Sequence, residues 1–376
     1  MKHVILLVCA LLISGGLSIS SQAEVVSKMV GASADCNGCI TQPLTPAILC
    51  QAPSFCARII APDWSNTDIY YGTDGTNCRK STDGAVTWAN CTANPSTPVY
   101  SHYAVTLNGT VLAIGNDNGG TETRVRRSTN GAVSWSTVYS AAPANANTYS
   151  PNGQFRCAAT ADLCTFVYRD PSNNMVSLRS TDDGLTWVVN SAIGTTLNVT
   201  MAMVMANDGL LGIAVPPNAD GASNLRSLLW DGVQWTRSAV VWPTSSGGQC
   251  NWAFIIGDSR KGICHVGTTG AAYTIRDING NIEKTFTLPD VPSDNGGSAI
   301  GLAISLTSTG IWLFRTDTAG STGIWVSLDS GTSFVKLTTI DPPGSGIGNQ
   351  GSIHHVGGCL VASYNTTAGS TVVSVC

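Results

Sequence analysis

Short apolar stretches recur along the chain, cut by Gly, Asn and Asp, and this pattern predicts strands joined by tight turns. Residues 104–107 and 110–114 flank Asn108-Gly109, a strong two-residue hairpin signal. Residues 201–206 and 210–215 repeat the arrangement around Asn207-Asp208-Gly209. That stretch is apolar enough to suggest a membrane helix, but its central Asn-Asp-Gly predicts a hairpin instead. Runs of this kind begin near residues 55, 101, 154, 198, 250, 298 and 350. They define seven units with a period of about 49 residues, room for four short strands each. In the first unit the strands are expected at 55–60, 68–73, 77–81 and 86–92. The last unit holds only three, at 352–356, 359–364 and 371–376. A sheet lacking a strand leaves a raw edge, so the segment between Glu24 and Leu49 is expected to supply the fourth.

Four octapeptides mark the turns between third and fourth strands. They are Ser81-Thr-Asp-Gly-Ala-Val-Thr-Trp88, Ser128-Thr-Asn-Gly-Ala-Val-Ser-Trp135, Ser180-Thr-Asp-Asp-Gly-Leu-Thr-Trp187 and Ser327-Leu-Asp-Ser-Gly-Thr-Ser-Phe334. Degraded copies stand at Trp230-Asp-Gly-Val-Gln-Trp235 and Arg276-Asp-Ile-Asn-Gly-Asn281. The physics is that of a hairpin turn: Asp or Asn bonds backbone N–H groups, Gly supplies a positive φ, and the aromatic plugs the space between sheets. The octapeptide resembles the Asp-box, the bacterial neuraminidase repeat. The first two copies move Gly forward by one, and the second replaces Asp with Asn. The resemblance implies an all-β fold, a seven-bladed β-propeller with six blades as the alternative, closed by the N-terminal strand. The boxes are expected to be scaffold.

Lys2 and His3 precede an apolar run at 4–13, and Ser21-Gln22-Ala23 offers a cleavage site, so residues 1–23 read as a signal peptide. Residues 24–54 form a cysteine-containing arm and 55–376 the propeller. A secreted or extracellular protein follows, with periplasm or cell surface as variants and no membrane span after cleavage. Only 11% of the 376 residues are charged and the net charge is -4, so no basic field exists to collect nucleic acid.

Twelve of the thirteen cysteines lie beyond the leader, an even count that reads as disulfides. Natural neighbours are Cys78 with Cys91, Cys157 with Cys164, Cys250 with Cys264, and Cys359 with Cys376, each within one unit. Cys36-x-x-Cys39 has no second pair to complete a zinc site. Asp117 to Glu122 lacks the ligand series for calcium, and His354 and His355 point to opposite faces of a strand. Neither metal nor cofactor is expected.

The best-known Asp-box enzymes are six-bladed sialidases with an arginine triad, an Asp acid/base and a Tyr–Glu nucleophile pair. Arg58-Ile-Ile-Ala-Pro-Asp63 is similar to their Arg-Ile-Pro signature, with two residues between Ile59 and Pro62. The resemblance implies Arg58 as a carboxylate binder and Asp63 as acid/base, against the plainer reading of a strand arginine and a turn aspartate. The chain has only Glu24, Glu122 and Glu283 to activate a tyrosine, the last two at outer positions. The Asp-box group also includes seven-bladed xyloglucan hydrolase domains and photosystem assembly factors that do no chemistry. Aligning the first strands brings Arg58, His102, Arg156, Trp252 and His354 to comparable places around a central channel, a mixture suited to sugars or small anions. The leading expectation is a non-catalytic binding propeller with a glycan or protein partner at the channel face. A sialidase-like or glucan-cleaving hydrolase is the second, and a structural subunit assembling through its arm the third.

Overall fold

The computed structural model describes residues 47–51, 57, 59–95, 100–117, 122–141, 155–169, 175–194, 202–205, 212–215, 225–230, 233–242, 252–256, 259–265, 272–277, 281–289, 300–305, 311–316, 323–327, 329, 331–339, 351–356, 359–366 and 369–375. The leader and most of the arm lie outside them.

The first described strand is β1 (Ala47–Gln51). The first sheet then runs β2 (Ile59–Pro62), β3 (Tyr70–Thr73), β4 (Cys78–Ser81) and β5 (Ala89–Asn90). The second holds β6 (Tyr100–Val105), β7 (Val111–Asp117), β8 (Glu122–Ser128) and β9 (Ser136–Ala141). The third holds β10 (Phe155–Cys157), β11 (Cys164–Arg169), β12 (Met175–Ser180) and β13 (Val188–Gly194). The fourth comprises β14 (Ala202–Met205), β15 (Gly212–Val215), β16 (Leu225–Trp230) and β17 (Trp235–Trp242). The fifth comprises β18 (Trp252–Ile256), β19 (Ser259–His265), β20 (Ala272–Arg276) and β21 (Ile282–Thr287). The sixth comprises β22 (Ile300–Ser305), β23 (Ile311–Thr316), β24 (Gly323–Ser327) and β25 (Val335–Thr339). β26 (Gly351–Val356), β27 (Cys359–Thr366) and β28 (Gly369–Val375) complete the chain.

Among the described residues these strands make seven four-stranded antiparallel sheets, six of them meanders in chain order. The seventh is ordered β1-β28-β27-β26, so its outer strand comes from the arm. Ala47 pairs with Ser374, Ile48 with Val373, Cys50 with Val372 and Gln51 with Thr371, with a bulge between Ile48 and Cys50. The first strands touch one another in the order β2, β6, β10, β14, β18, β22, β26 and back to β2.

Alternation sets the faces. In β8, Thr123 and Val125 are buried while Arg124 and Arg126 are not. Apolar side chains of adjacent sheets then meet. Ile60, Tyr70 and Ala85 of the first sheet pack with Val356, Val361 and Val372 of the seventh. Ala61, Tyr71 and Cys78 pack with Tyr103, Val105 and Ala132 of the second, and Leu112, Ile114 and Val125 of the second with Phe155, Phe166 and Leu178 of the third.

The octapeptide turns share one hydrogen-bond plan. The hydroxyls of Ser81, Ser128, Ser180 and Ser327 accept from the amides of Ala85, Ala132, Gly184 and Gly331 at 2.7–3.0 Å. Asp83, Asn130, Asp182 and Asp329 accept from the amides four residues on at 2.9–3.0 Å. The fourth and fifth positions of the first three turns are both left-handed: Gly84 and Ala85, Gly131 and Ala132, Asp183 and Gly184. The shift of Gly in the first two copies therefore leaves the turn shape unchanged and puts alanine at a φ of about +70°, a strain of roughly 1–2 kcal/mol. The methyl groups of Ala85 and Ala132 are fully buried in the interfaces with the preceding sheets, which offsets that strain. In the third turn Leu112 fills the same space; a Cβ on Gly184 would meet its Cδ2 at 2.6 Å, so glycine is required there.

These turns make the fold acid-sensitive. Burial raises the Asp329 carboxyl, but hydrogen bonds from Ser333, Ser327 and Thr332 outweigh it and hold it at about 2. Asp83 and Asp182 are lowered by the same balance. A depressed folded pKa contributes stability that is complete above the ordinary carboxylate range and is lost as pH falls through the folded value. The melting temperature should thus drop steeply between about pH 4 and pH 2. Asp329→Asn should flatten that drop, and Asn130, which does not titrate, should contribute nothing to it. Thermal melts across this pH range check both.

Cys78 is bonded to Cys91 across the β4–β5 turn and Cys157 to Cys164 across the β10–β11 hairpin, closing separations of 13 and 7 residues. Cys50 and Cys359 are also disulfide-bonded. Cys250, Cys376 and the side chain of Cys264 lie outside the described residues, and with them the expected 250–264 and 359–376 pairings. Replacing both cysteines of either described bridge by serine should cost about 2–4 kcal/mol in denaturant unfolding.

Candidate functional site

The inner candidates come from different sheets. Arg156 is the middle residue of β10, with Phe155 and Cys157 turned into the core shared with the second sheet, so its own side chain leaves from the opposite face. His354 lies on β26 on the same face as Val356, toward the first sheet. The two meet: Nη1 of Arg156 is 3.2 Å from Nδ1 and 3.1 Å from Nε2 of His354. His354 Nε2 also lies 2.8 Å from the Ile60 carbonyl of β2. Three first strands, from the third, seventh and first sheets, therefore converge at one point.

Electrostatics fixes the protonation here. Burial, then the repulsion of Arg156, drives the His354 pKa well below its ordinary value, against the opposing pull of the Ile60 carbonyl. A neutral ring donates its Nε2 proton to Ile60, and Arg156 Nη1, nearly equidistant from the two ring nitrogens, rests against the ring. Arg156 keeps part of its surface accessible yet is surrounded closely enough that desolvation pushes its guanidinium down to about 10. It remains a cation at neutral pH, held by a neutral partner.

His102, on β6, is 2% exposed and shares the face of Ala104, toward the third sheet. Trp252 is the first residue of β18, its side chain outside the description. Arg58 lies outside the described residues. The structure thus brings together Arg156 and His354 of the five aligned candidates. The Ile60 carbonyl was not among them, because a backbone acceptor leaves no mark in side-chain spacing.

The hydrolase candidates are committed elsewhere. Asp63 is 5% exposed and accepts from the amide and hydroxyl of Ser65 at 2.9 and 2.6 Å, in the β2–β3 turn. Glu122 starts β8 and pairs with Arg124 at 2.8 Å, and Glu283 lies on β21, the outer strand of its sheet. Among the described residues, no group of three or more His, Cys, Asp or Glu side chains is arranged to hold a metal ion.

No protein-family model matches the chain, and no curated protein matches it. Solved structures do. A structure of YCF48 bound to D1 peptide aligns at TM-score 0.52 and 15% identity, covering 89% of this chain and 97% of that one. YCF48 from Cyanidioschyzon merolae aligns at 0.51 and 14%, covering 88% and 98%. The GH74 xyloglucanase from Xanthomonas campestris aligns at 0.55 and 12%, covering 86% of this chain and 54% of its own, so this chain spans about half its length. The fold is that of a β-propeller. At these identities the likeness extends to the propeller and not to a site, and the Arg156–His354 contact stands on this chain's geometry alone.

Proposed function

We propose that the chain is a secreted, disulfide-stapled Asp-box propeller of seven blades, closed by β1, that binds a ligand at its central channel and does not cleave it. The ligand is a glycan in the first instance, with a protein partner as the second reading. The observation that carries this is the convergence of Arg156, His354 and the Ile60 carbonyl between first strands. Among the described residues it offers one cation, one neutral imidazole and no carboxylate. Most glycoside hydrolases set two carboxyl groups about one bond, and sialidases an Asp with a Tyr–Glu pair; Asp63 and Glu122, the described candidates for those roles, are both engaged in local contacts. The cyclic contact of first strands and the β1–β28 pairing support a closed ring. Disulfides support an oxidising compartment, and no helix among the described residues is long and apolar enough to cross a membrane.

The test sets binding against turnover. Glycan-array binding is expected, with no sugar released from fluorogenic glycosides over the same range. Release of sugar that disappears in Asp63→Asn would instead establish the hydrolase reading.

A further inference from the structure

Arg156 is poised differently from the arginines in the described ion pairs. Arg79, Arg124 and Arg127 each meet a carboxylate, of Asp74, Glu122 and Asp183, at 2.5–2.8 Å. Arg156 meets an imidazole, and only through Nη1. Among the described residues its Nε and Nη2 have no hydrogen-bond partner, and these two nitrogens form an edge of the guanidinium that matches two oxygens of an anion. A desolvated cation without a counter-charge is costly, and an incoming anion relieves that cost. His354 supports the arrangement because it is itself anchored on Ile60 and orients the guanidinium without neutralising it.

We infer that the open edge of Arg156 receives a singly charged oxyanion on the ligand, a carboxylate or a sulfate ester. One positive charge and one two-donor edge match one negative charge. A doubly charged phosphate monoester would leave a surplus negative charge in an enclosed site. This rests on the binding reading above and names the chemistry its ligand carries. Arg156 on β10 is not Arg58, where the family resemblance puts its carboxylate binder.

The test is calorimetric titration of the full chain with four monosaccharide probes: methyl glucuronide, methyl glucoside, glucose 6-sulfate and glucose 6-phosphate. Glucuronide or sulfate should bind at least tenfold tighter than the neutral glucoside, with phosphate weaker than either; which of the two leads identifies the source of the oxyanion. Arg156→Lys keeps the charge and loses the planar edge, and should weaken the preferred probe about ten- to a hundredfold. The wild-type ranking is a readout of its own should that variant fold poorly. Equal binding of glucuronide and glucoside, unchanged in Arg156→Lys, would overturn the inference and leave the binding reading intact. Strongest binding of phosphate would overturn it through the charge argument. Absence of binding by every probe, together with a blank glycan array, would remove both the inference and the glycan reading.

Discussion

Asp183→Ala should be among the most destabilising single substitutions in the chain, by about 2–4 kcal/mol in denaturant unfolding. Asp183 stands at the tip of the third octapeptide turn and reaches into the second sheet. One carboxylate oxygen accepts from Thr106 and the other from Thr110 at 2.5 Å and from Arg127 at 2.6 Å, while Arg127 Nε also bonds the Asp183 carbonyl at 2.8 Å. Burial raises this carboxyl, but those donors outweigh it and its pKa is lowered. Removing the carboxylate strands a half-buried guanidinium and two threonine hydroxyls. Both charged side chains retain about a fifth of their exposure, so water recovers part of the loss and the figure falls below that of a fully buried pair. A double-mutant cycle with Arg127→Ala should return a coupling above 0.5 kcal/mol. Additive single effects would show that the two sheets are held by apolar packing alone.

Starting the chain at Ala52 should be more damaging still. It strips β1 from β28 and turns a buried strand into an edge. Val372 and Val373 are at most 1% exposed, one on each face, and the backbone groups along Thr371–Ser374 would lose their partners. Such an edge pairs with other chains. The truncated protein should aggregate, and amides of 371–374 should exchange at least a hundredfold faster than in the full chain. Because Cys50 is lost as well, Cys50→Ser in the full chain is the control and should remain monomeric. A truncated chain that stays monomeric with unchanged melting would show that the last three strands are stable as a sheet without β1.

What the sequence made legible was local. Hydrogen bonds within each octapeptide span four residues, so Ser, Asp or Asn, and the aromatic fall at readable spacings. First strands expected near 101, 154, 250, 298 and 350 begin at Tyr100, Phe155, Trp252, Ile300 and Gly351. Boundaries failed where side chains compete with the ladder. The strand expected at 68–73 starts at Tyr70 because the Asn66 side chain accepts from the Asp68 amide and prolongs the turn. The strand expected at 86–92 shrinks to Ala89–Asn90 because Asp83 still holds Thr87. The extra acid in the third octapeptide was visible as Asp183 where the first two have Gly, but its partners lie 56 to 77 positions away. The site was less legible again. Arg156 and His354 are 198 residues apart, and only the packing of different sheets brings them together.

The most direct measurement is a crystal structure of the full chain soaked with a mixture of neutral, uronate-bearing and sulfated oligosaccharides. The expected result is an uncleaved sugar whose oxyanion lies within hydrogen-bond distance of Arg156 Nε and Nη2, with His354 still seated on the Ile60 carbonyl. A cleaved sugar, or an Arg156 already paired with a carboxylate of the protein itself, would contradict it.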